Sequence, residues 1–315
     1  MNPESDNQPV ALSGHMDTVH PVVLFGTPAV RRENEKIYGP GVMDCKGGIV
    51  AGFLAMDALQ ICGFKERPVM MLLQSNEEIG SDLDSKEPIN YICKKAADVV
   101  AVLNLEGHGE FDNINCLVRK GIAVFEFKVK GIAAHSSLCA RRGASAITDA
   151  AHKVIELEKL KDDSGVTCNC GVISGGTVSN SVAAECRFNA DVRFSTQEQY
   201  KTSLEYLQKI SDTVYVDGCT CEMVQTALRP AMELTDKNMK LFEKTNEIFE
   251  KNGLSRLEIG KGHGGSDAAD ATCYGIPCMD AIGVSGGCIH SVDEYANISS
   301  LAEAAKRVAC IICGI

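Results

Sequence analysis

The segment Val-Ala-Leu-Ser-Gly-His-Met-Asp, residues 10–17, is an apolar strand that ends in a histidine and an aspartate. The arrangement recurs at residues 69–78, where Val-Met-Met-Leu-Leu is followed by Gln-Ser-Asn-Glu-Glu, and at residues 99–106, where Val-Val-Ala-Val-Leu-Asn-Leu precedes a glutamate. Open α/β sheets build their sites beyond the carboxyl ends of the strands. The three segments therefore predict one mostly parallel sheet. Four polar side chains would lie at the carboxyl ends of its strands, namely His15, Glu77, Glu78 and Glu106.

The composition limits the kind of protein in which such a site can occur. With 315 residues and 45% hydrophobic side chains, the chain can bury a sizeable core, and its length favours two domains. We find no apolar run of the roughly 18 residues that a membrane span needs. Residues 1–9 carry acidic side chains where a signal peptide carries positive charge. We therefore expect a cytoplasmic protein.

The net charge limits the class of ligand, and the cysteines indicate the redox environment. A formal net charge of −11 disfavours nucleic acid and anionic membranes, since both require a basic face, and leaves a small molecule as the expected ligand. The fifteen cysteines are scattered through apolar segments such as residues 310–313, as suits a reducing interior. The pairs Cys168/Cys170 and Cys219/Cys221 lack the spacing of structural zinc motifs, so we interpret them as core residues.

The order of elements predicts an insertion. Strand and helix patterns alternate from residue 10, with a helix at residues 47–59. From Lys120 the order becomes strand, helix, two strands, helix and strand, which is that of a ferredoxin-like domain. The α/β pattern returns after Arg229-Pro230, with a last helix from Ser299. We predict a mixed, mostly parallel sheet flanked by helices (residues 1–118 and 227–315) with an inserted ferredoxin-like α+β domain (residues 119–226).

The polar residues at the strand ends have the chemistry of metal ligands. His15 and Asp17 are two apart on a strand and would share one face, where the carboxylate can hold the imidazole in its metal-binding tautomer. Ordinary hydrogen bonding explains either residue equally well when it is taken alone. Asp44, at the mouth of a helix, could be only an N-cap.

Glu77 and Glu78 are adjacent and cannot share one direction, which suggests one carboxylate for a metal and one for an attacking water. Separately, they could be a solvated helical turn, and Glu106 and His290 ordinary surface residues. Their joint occurrence favours a metal centre, because two histidines and three carboxylates are mixed ligands for two zinc-like cations. Two divalent cations carry four positive charges, which three carboxylates and a bridging hydroxide balance.

These residues lie in five short strings: Gly-His-Met-Asp-Thr-Val (14–19), Met-Asp-Cys-Lys-Gly-Gly (43–48), Asn-Glu-Glu (76–78), Leu-Glu-Gly (105–107) and Ile-His-Ser (289–291). The strings resemble motifs of the zinc-dependent peptidases and deacylases that include glutamate carboxypeptidase, acetylornithine deacetylase, succinyl-diaminopimelate desuccinylase and aminoacylase. They are most like those of glutamate carboxypeptidase-like members, and the resemblance covers nearly the whole chain.

The resemblance implies a role for each residue of the centre. It implies that His15 and His290 each bind one metal, that Asp44 bridges the two metals, and that Glu78 and Glu106 complete the ligands. Glu77 would be the general base, and Asp17 the acid that orients His15. His20, His108, His152 and His263 match no role and are interpreted as structural or rim residues.

The resemblance extends to the insert, which it implies is a lid that also dimerises. Ala134-His135-Ser136 resembles the lid histidine, which can stabilise an oxyanion, often in the partner subunit's site. Asn180 and Arg193 resemble a pair that holds oxyanion or carboxylate. The loop from Gly264 and Gly265 to Asp267 resembles one whose amides meet a substrate carboxylate. Without the resemblance, Arg193 would be a surface charge and the two glycines turn formers.

One departure concerns the N-terminus. Family members usually carry some tens of residues before the Gly-His-x-Asp strand, whereas only Met1–Pro9 precede it here. We therefore expect an N-terminally truncated chain with an uncovered sheet edge and lower stability.

The predicted function is hydrolysis of an amide or peptide bond next to a carboxylate-bearing amino acid, of the carboxypeptidase or dipeptidase type. A metal-bridged hydroxide formed by Glu77 attacks the carbonyl, and Glu77 returns the proton to the leaving amine. An N-acyl-amino-acid deacylase or desuccinylase is the alternative, and a truncated metal-binding remnant without activity is an alternative of another class. The expected cofactors are two divalent metal ions, Zn²⁺ first with Co²⁺ or Mn²⁺ as alternatives. The expected partners are a small peptide or N-acyl amino acid and a second copy of the chain.

Overall fold

The chain forms two units. The main unit comprises Met1–Arg119 and Met232–Ile315, and the inserted unit comprises Lys120–Ala231. The computed structural model describes residues 1–79, 86–109, 114–138, 142–161, 163–262 and 264–315. Within those ranges, no helix is both long enough and apolar enough to cross a membrane.

The secondary structure follows the predicted order, with several short elements added. The helices are α1 (Lys46–Ile61), α2 (Glu87–Lys95), α3 (Ala146–Leu157), α4 (Gln197–Asp212), α5 (Asp236–Lys251), α6 (Asp267–Cys273) and α7 (Ile298–Gly314). The strands are β1 (Val10–His15), β2 (Arg31–Glu33), β3 (Lys36–Tyr38), β4 (Val69–Gln74), β5 (Ala101–Asn104), β6 (Ile114–Arg119), β7 (Gly121–Lys130), β8 (Thr167–Gly175), β9 (Glu185–Phe194), β10 (Thr220–Arg229), β11 (Glu258–Gly262), β12 (Cys278–Met279), β13 (Gly286–Gly287) and β14 (Tyr295–Asn297).

The main sheet is parallel, with strand order β12-β5-β1-β4. Every residue of β1 is buried, as expected for an inner strand covered on both faces. Leu12, Leu103, Phe249 and Ile311 belong to one buried cluster between the sheet, α5 and α7. The predicted α/β class with a parallel sheet is confirmed.

Glycines let α1 pack very close to the end of β5. A Cβ at Gly48 would lie 1.8 Å from the carbonyl oxygen of Leu105, and one at Gly52 would lie 2.9 Å from Leu105 Cδ1. Leu105 directly precedes Glu106, and α1 begins two positions after Asp44. The close packing of α1 therefore brings the two carboxylate-bearing segments together.

Two small sheets in the main unit were not predicted. One has the order β13-β14-β3-β2, and the other pairs β11 with β6. Antiparallel pairing of Tyr295 with Tyr38 brings the segment after His290 beside the segment that leads to Asp44. These strands have two to six residues and little apolar alternation, so their pairing depends on tertiary contacts.

The inserted unit has the predicted ferredoxin-like topology. Its antiparallel strand order is β10-β7-β9-β8, with α3 and α4 as the two connecting helices. Buried residues alternate along β7, and Phe127 stacks on Phe188 with ring centroids 4.7 Å apart. The edge strand β8 is largely exposed.

The cap of α4 lies one residue later than the sequence pattern indicates. A capping box starting at Ser195 is the expectation from Ser-Thr-Gln-Glu. Instead, the Thr196 hydroxyl accepts the N–H of Gln199, and the Gln199 side chain accepts the N–H of Ser195. Glutamine therefore takes the part assigned to Glu198, because Thr196 rather than Ser195 occupies the N-cap position.

Candidate metal centre

Asp44 lies between two histidines. Its Oδ1 is 3.0 Å from His15 Nε2, and its Oδ2 is 3.3 Å from His290 Nε2. His15 ends β1, Asp44 lies in the turn before α1, and His290 lies in the loop between β13 and β14 with a φ of +61°. Residues from three distant parts of the sequence thus meet around one carboxylate.

Each histidine faces a second carboxylate. Glu106 Oε1 lies 3.4 Å from His15 Nε2, and Glu78 Oε2 lies 3.2 Å from His290 Nε2. The five residues form two sets that share Asp44. One set contains His15 and Glu106, and the other contains His290 and Glu78.

Asp17 lies behind the first histidine. Its Oδ1 is 3.3 Å from His15 Nδ1, the ring nitrogen on the side away from Asp44, and its Oδ2 accepts the backbone N–H of Glu78 at 3.0 Å. Asp17 therefore connects the end of β1 with the turn that follows β4. Glu77, in the same turn, is buried with 7% of its surface exposed.

The electrostatics of these groups reflect their crowding. Burial opposes protonation of His15, but hydrogen bonds to Asp44, Cys45 and Glu106 outweigh it and raise the pKa of the imidazole above its usual range. Burial, reinforced by the charge of Asp44, raises the pKa of Glu106 to about 7. Burial likewise raises the pKa of Glu78.

Asp44 behaves in the opposite way. Burial alone would raise its pKa, but the hydrogen bond and positive charge of His15 lower it below its usual value. In this cluster Asp44 is therefore held in its ionised form, whereas Glu78 and Glu106 are shifted towards their protonated forms.

This donor set fits divalent cations. His15, Asp44 and Glu78 offer ligand atoms that all lie within 4.8 Å of one another, and so do His15, Cys45 and Glu106. Imidazole nitrogen and carboxylate oxygen are the ligands that zinc and similar cations take in proteins. Several buried carboxylates converge here, and bound cations would neutralise their negative charge.

The three predicted site residues of the inserted unit lie at two opposite ends of its sheet. His135 forms a backbone bridge with Ser181, and the N–H of Ser136 donates to the carbonyl oxygen of Asn180 at 2.9 Å. His135 and Asn180 thus lie side by side beyond the β7 end at Lys130. The structure does not bring Arg193 to them.

Arg193 lies near the opposite end of the same sheet, paired with Ile122 at the start of β7. Eight residues separate it from Glu185 along β9, a span of about 26 Å at about 3.3 Å per residue. Its guanidinium pairs with Asp191, with Nε 2.6 Å from Oδ1 and Nη2 2.8 Å from Oδ2.

Hydrogen bonds within the main unit hold the loop that contains Gly264 and Gly265. Ser266 caps α6, its hydroxyl accepts a hydrogen bond from Asn104, and Arg119 donates to the carbonyl oxygen of Gly264 at 3.4 Å. Gly264 and Gly265 therefore begin a loop tied to the sheet end that carries Glu106. His263 lies outside the described residues.

Comparison with known proteins identifies the family. Residues 11–313 match Peptidase family M20/M25/M40. The chain belongs to this family. The predicted enzyme class, a metallopeptidase or amidohydrolase, is thereby confirmed.

Three relatives illustrate how far the M20 similarity extends. Carboxypeptidase G2 of Pseudomonas sp. is 27% identical over 292 residues, which cover 92% of this chain and 70% of the relative. A tripeptidase of Staphylococcus aureus shares the fold with a TM-score of 0.80 at 23% identity, over 99% of this chain and 82% of its own. The YXEP protein of Bacillus subtilis, described as a dinuclear metal binding peptidase, has a TM-score of 0.72 at 14% identity, over 99% and 82% of the two chains.

Sequence reasoning missed one residue of this M20 centre. Glu294, four residues after His290, is buried and accepts hydrogen bonds from the turn that carries Asp44. His20, interpreted from the sequence as a structural or rim residue, lies 3.3 Å from the same carboxylate. The partners of Glu294 are mostly backbone N–H groups, which leave no signal in side-chain patterns.

Proposed function

We propose that the chain is a two-metal hydrolase that cleaves the amide bond next to a carboxylate-bearing amino acid, of the carboxypeptidase or dipeptidase type. One observation carries the proposal: the two oxygens of Asp44 face different histidines, and each histidine faces a further carboxylate. Two ligand sets that share one carboxylate suit a pair of cations. The similarity to a carboxypeptidase supports the reaction type.

His15 and Glu106 would hold one cation, His290 and Glu78 the other, and Asp44 both. Two such cations, when bound, would acidify a water and polarise the scissile carbonyl. Zn²⁺ is the first choice for this donor set, since imidazole and carboxylate are common zinc ligands. Co²⁺ and Mn²⁺ are the alternatives, since they accept the same imidazole and carboxylate ligands.

Glu77 is the proposed general base. It lies in the turn after β4 and immediately precedes the proposed ligand Glu78. Neighbouring residues in such a turn present their side chains in different directions. A buried carboxylate at this position can take the proton from the attacking water and deliver it to the leaving amine. Asp17 would keep His15 oriented throughout.

The inserted unit supports a proposal that two copies of the chain cooperate. His135 and Asn180 lie together beyond the end of the sheet where Lys130 pairs with Glu185, whereas Arg193 lies about 26 Å from Glu185 along β9. One small peptide cannot reach both places within a single inserted unit. We propose that His135 and Asn180 serve the oxyanion in the site of a second copy, as the resemblance implies for the lid histidine, and that Arg193 binds the carboxylate of a substrate that these two residues do not contact.

Substitution of Glu77 tests the function. Glu77→Gln removes the base but keeps the size and polarity of the side chain, so hydrolysis of dipeptides or N-acyl-glutamates should fall by about 10²- to 10⁴-fold. The metal content should stay at the wild-type value. Glu247→Gln, at an exposed position on α5, is the matched control and should leave both quantities unchanged.

Two outcomes would contradict the proposal. Equal turnover in wild type and Glu77→Gln would remove Glu77 from the reaction. Full metal occupancy with no turnover of any substrate in either protein would favour a metal-binding chain without catalytic activity. Preference for N-acyl-glutamates over dipeptides would indicate a deacylase that breaks the same bond type.

A further inference from the structure

Glu294 joins the two segments that carry Asp44 and His290. β14 begins at Tyr295 and pairs antiparallel with β3, with Tyr295 opposite Tyr38. This register places Glu294 beside Gly39, whose N–H donates to the Glu294 carbonyl oxygen at 3.2 Å. The backbone of Glu294 is therefore fixed next to the turn that leads to Asp44.

The side chain of Glu294 holds that turn by its backbone. Its Oε2 accepts the N–H of Gly41 at 3.0 Å, and its Oε1 accepts the N–H groups of Met43 at 3.0 Å and Asp44 at 3.2 Å. His20 Nε2 lies 3.3 Å from Oε2. Only 1% of Glu294 is exposed, so water does not compete for these contacts.

A carboxylate is well suited to this position. It has no donor, and its two oxygens provide about four acceptor sites, so it can bind several N–H groups at once. Hydrogen bonds to an ionised acceptor are shorter and stronger than those between neutral groups. A glutamine would offer one acceptor oxygen and turn an NH₂ group towards N–H donors that need an acceptor.

We propose that Glu294 is a positioning residue for the two-metal centre. It fixes the backbone of Asp44 so that one carboxylate oxygen is aimed at each histidine, and it does so from the segment that also carries His290. The inference rests on the proposed function, since the aim of Asp44 matters only if it bridges two cations. Groups that orient metal ligands typically contribute 10- to 100-fold in metal affinity.

Metal titration of three purified proteins tests the inference: wild type, Glu294→Gln and the control Glu247→Gln. The affinity for Co²⁺ would be measured by competition with a coloured chelator, and the visible absorption of bound Co²⁺ would report the ligand geometry. We expect Glu294→Gln to bind about 10- to 100-fold more weakly, with a changed cobalt spectrum. The control should match wild type.

Thermal unfolding of the metal-free proteins separates positioning from general stability. A lower unfolding midpoint of Glu294→Gln with unchanged cobalt affinity and spectrum would overturn the inference, because Glu294 would then stabilise only the fold. Failure of the wild type to bind Co²⁺ would instead overturn the proposed function.

If Glu294→Gln does not fold, Glu294→Asp replaces it, since the shorter side chain keeps the negative charge but cannot reach the N–H groups of Gly41, Met43 and Asp44 at the same distances. A several-fold loss of cobalt affinity is expected for Glu294→Asp. Wild-type affinity and spectrum in that variant would contradict the inference.

Discussion

Asp17 Oδ1 lies 3.3 Å from His15 Nδ1, on the side of the ring opposite Asp44. The sequence predicts this contact from two side chains on one face of a strand. In the structure β1 ends at His15, and Asp17 lies beyond it, held by the N–H of Glu78. The contact therefore depends on the turn after β4 as well as on strand geometry.

Asp17→Asn should weaken metal binding without unfolding the chain. The amide keeps the size of the side chain but loses the charge that favours an Nδ1–H tautomer of His15, so we expect a loss of about 10- to 100-fold in metal affinity. Competition with a chelator measures it. Wild-type affinity in Asp17→Asn would show that His15 is oriented by other contacts.

The stability of the metal-free protein should fall as the pH rises from about 4.5 to about 7. The pKa of Glu106 is raised from its ordinary 4.5 to about 7 by burial, so in this window the folded state keeps a proton that the unfolded chain has released. The protein loses stability as that proton leaves. His15, whose pKa is raised above 6.5, extends the loss to higher pH.

Thermal unfolding in chelator at several pH values checks this prediction. The lowered pKa values of Asp44 and Glu158 act only below about pH 4.5, outside the window. Because bound cations replace the protons, the stabilisation by added Zn²⁺ should grow from about pH 6 to about pH 8. Glu106→Gln should reduce the pH dependence and leave the part due to Glu78, whose pKa is also raised by burial, and an unchanged slope in that variant would count against a contribution of Glu106.

Gly48→Ala should destabilise the main unit although alanine favours helix. The added Cβ would lie 1.8 Å from the Leu105 carbonyl oxygen, so α1 must move away from β5. Overpacking of this kind typically costs about 1–3 kcal/mol. Denaturant unfolding measures the change in the free energy of unfolding, and a neutral or stabilising result would show that α1 can shift without cost.

Mixed dimers test whether His135 acts in the site of a second copy. A dimer of one Glu77→Gln chain and one His135→Ala chain would contain one whole site, with Glu77 from one chain and His135 from the other. We expect such mixtures to recover activity that neither variant has alone. If His135 serves the site of its own chain, both sites of the mixed dimer are defective, and mixing restores nothing.

The ligand-bearing strands could be predicted from the sequence because β1, β4 and β5 each begin with an unbroken run of at least three apolar residues. The polar residue that follows each run, such as His15 or Glu106, then lies at the carboxyl end of the strand, where sites form. The ferredoxin-like order could be predicted for a similar reason, since β7 and β9 alternate clearly between buried and exposed residues.

Other features left no such pattern. β2 consists of Arg31–Glu33 with every residue exposed, so only its pairing with β3 defines it as a strand. The positioning contacts of Glu294 run mostly to backbone N–H groups, which every sequence possesses. The separation of Arg193 from His135 follows from strand register, which the residues alone do not reveal.

The most direct test of the two-metal centre is the metal content of protein purified without chelator, measured by mass spectrometry together with hydrolysis of dipeptides and N-acyl-glutamates. We predict about two zinc ions per chain, with turnover lost on chelation and regained when metal is restored. Protein without bound metal, or turnover that survives complete metal removal, would contradict the account.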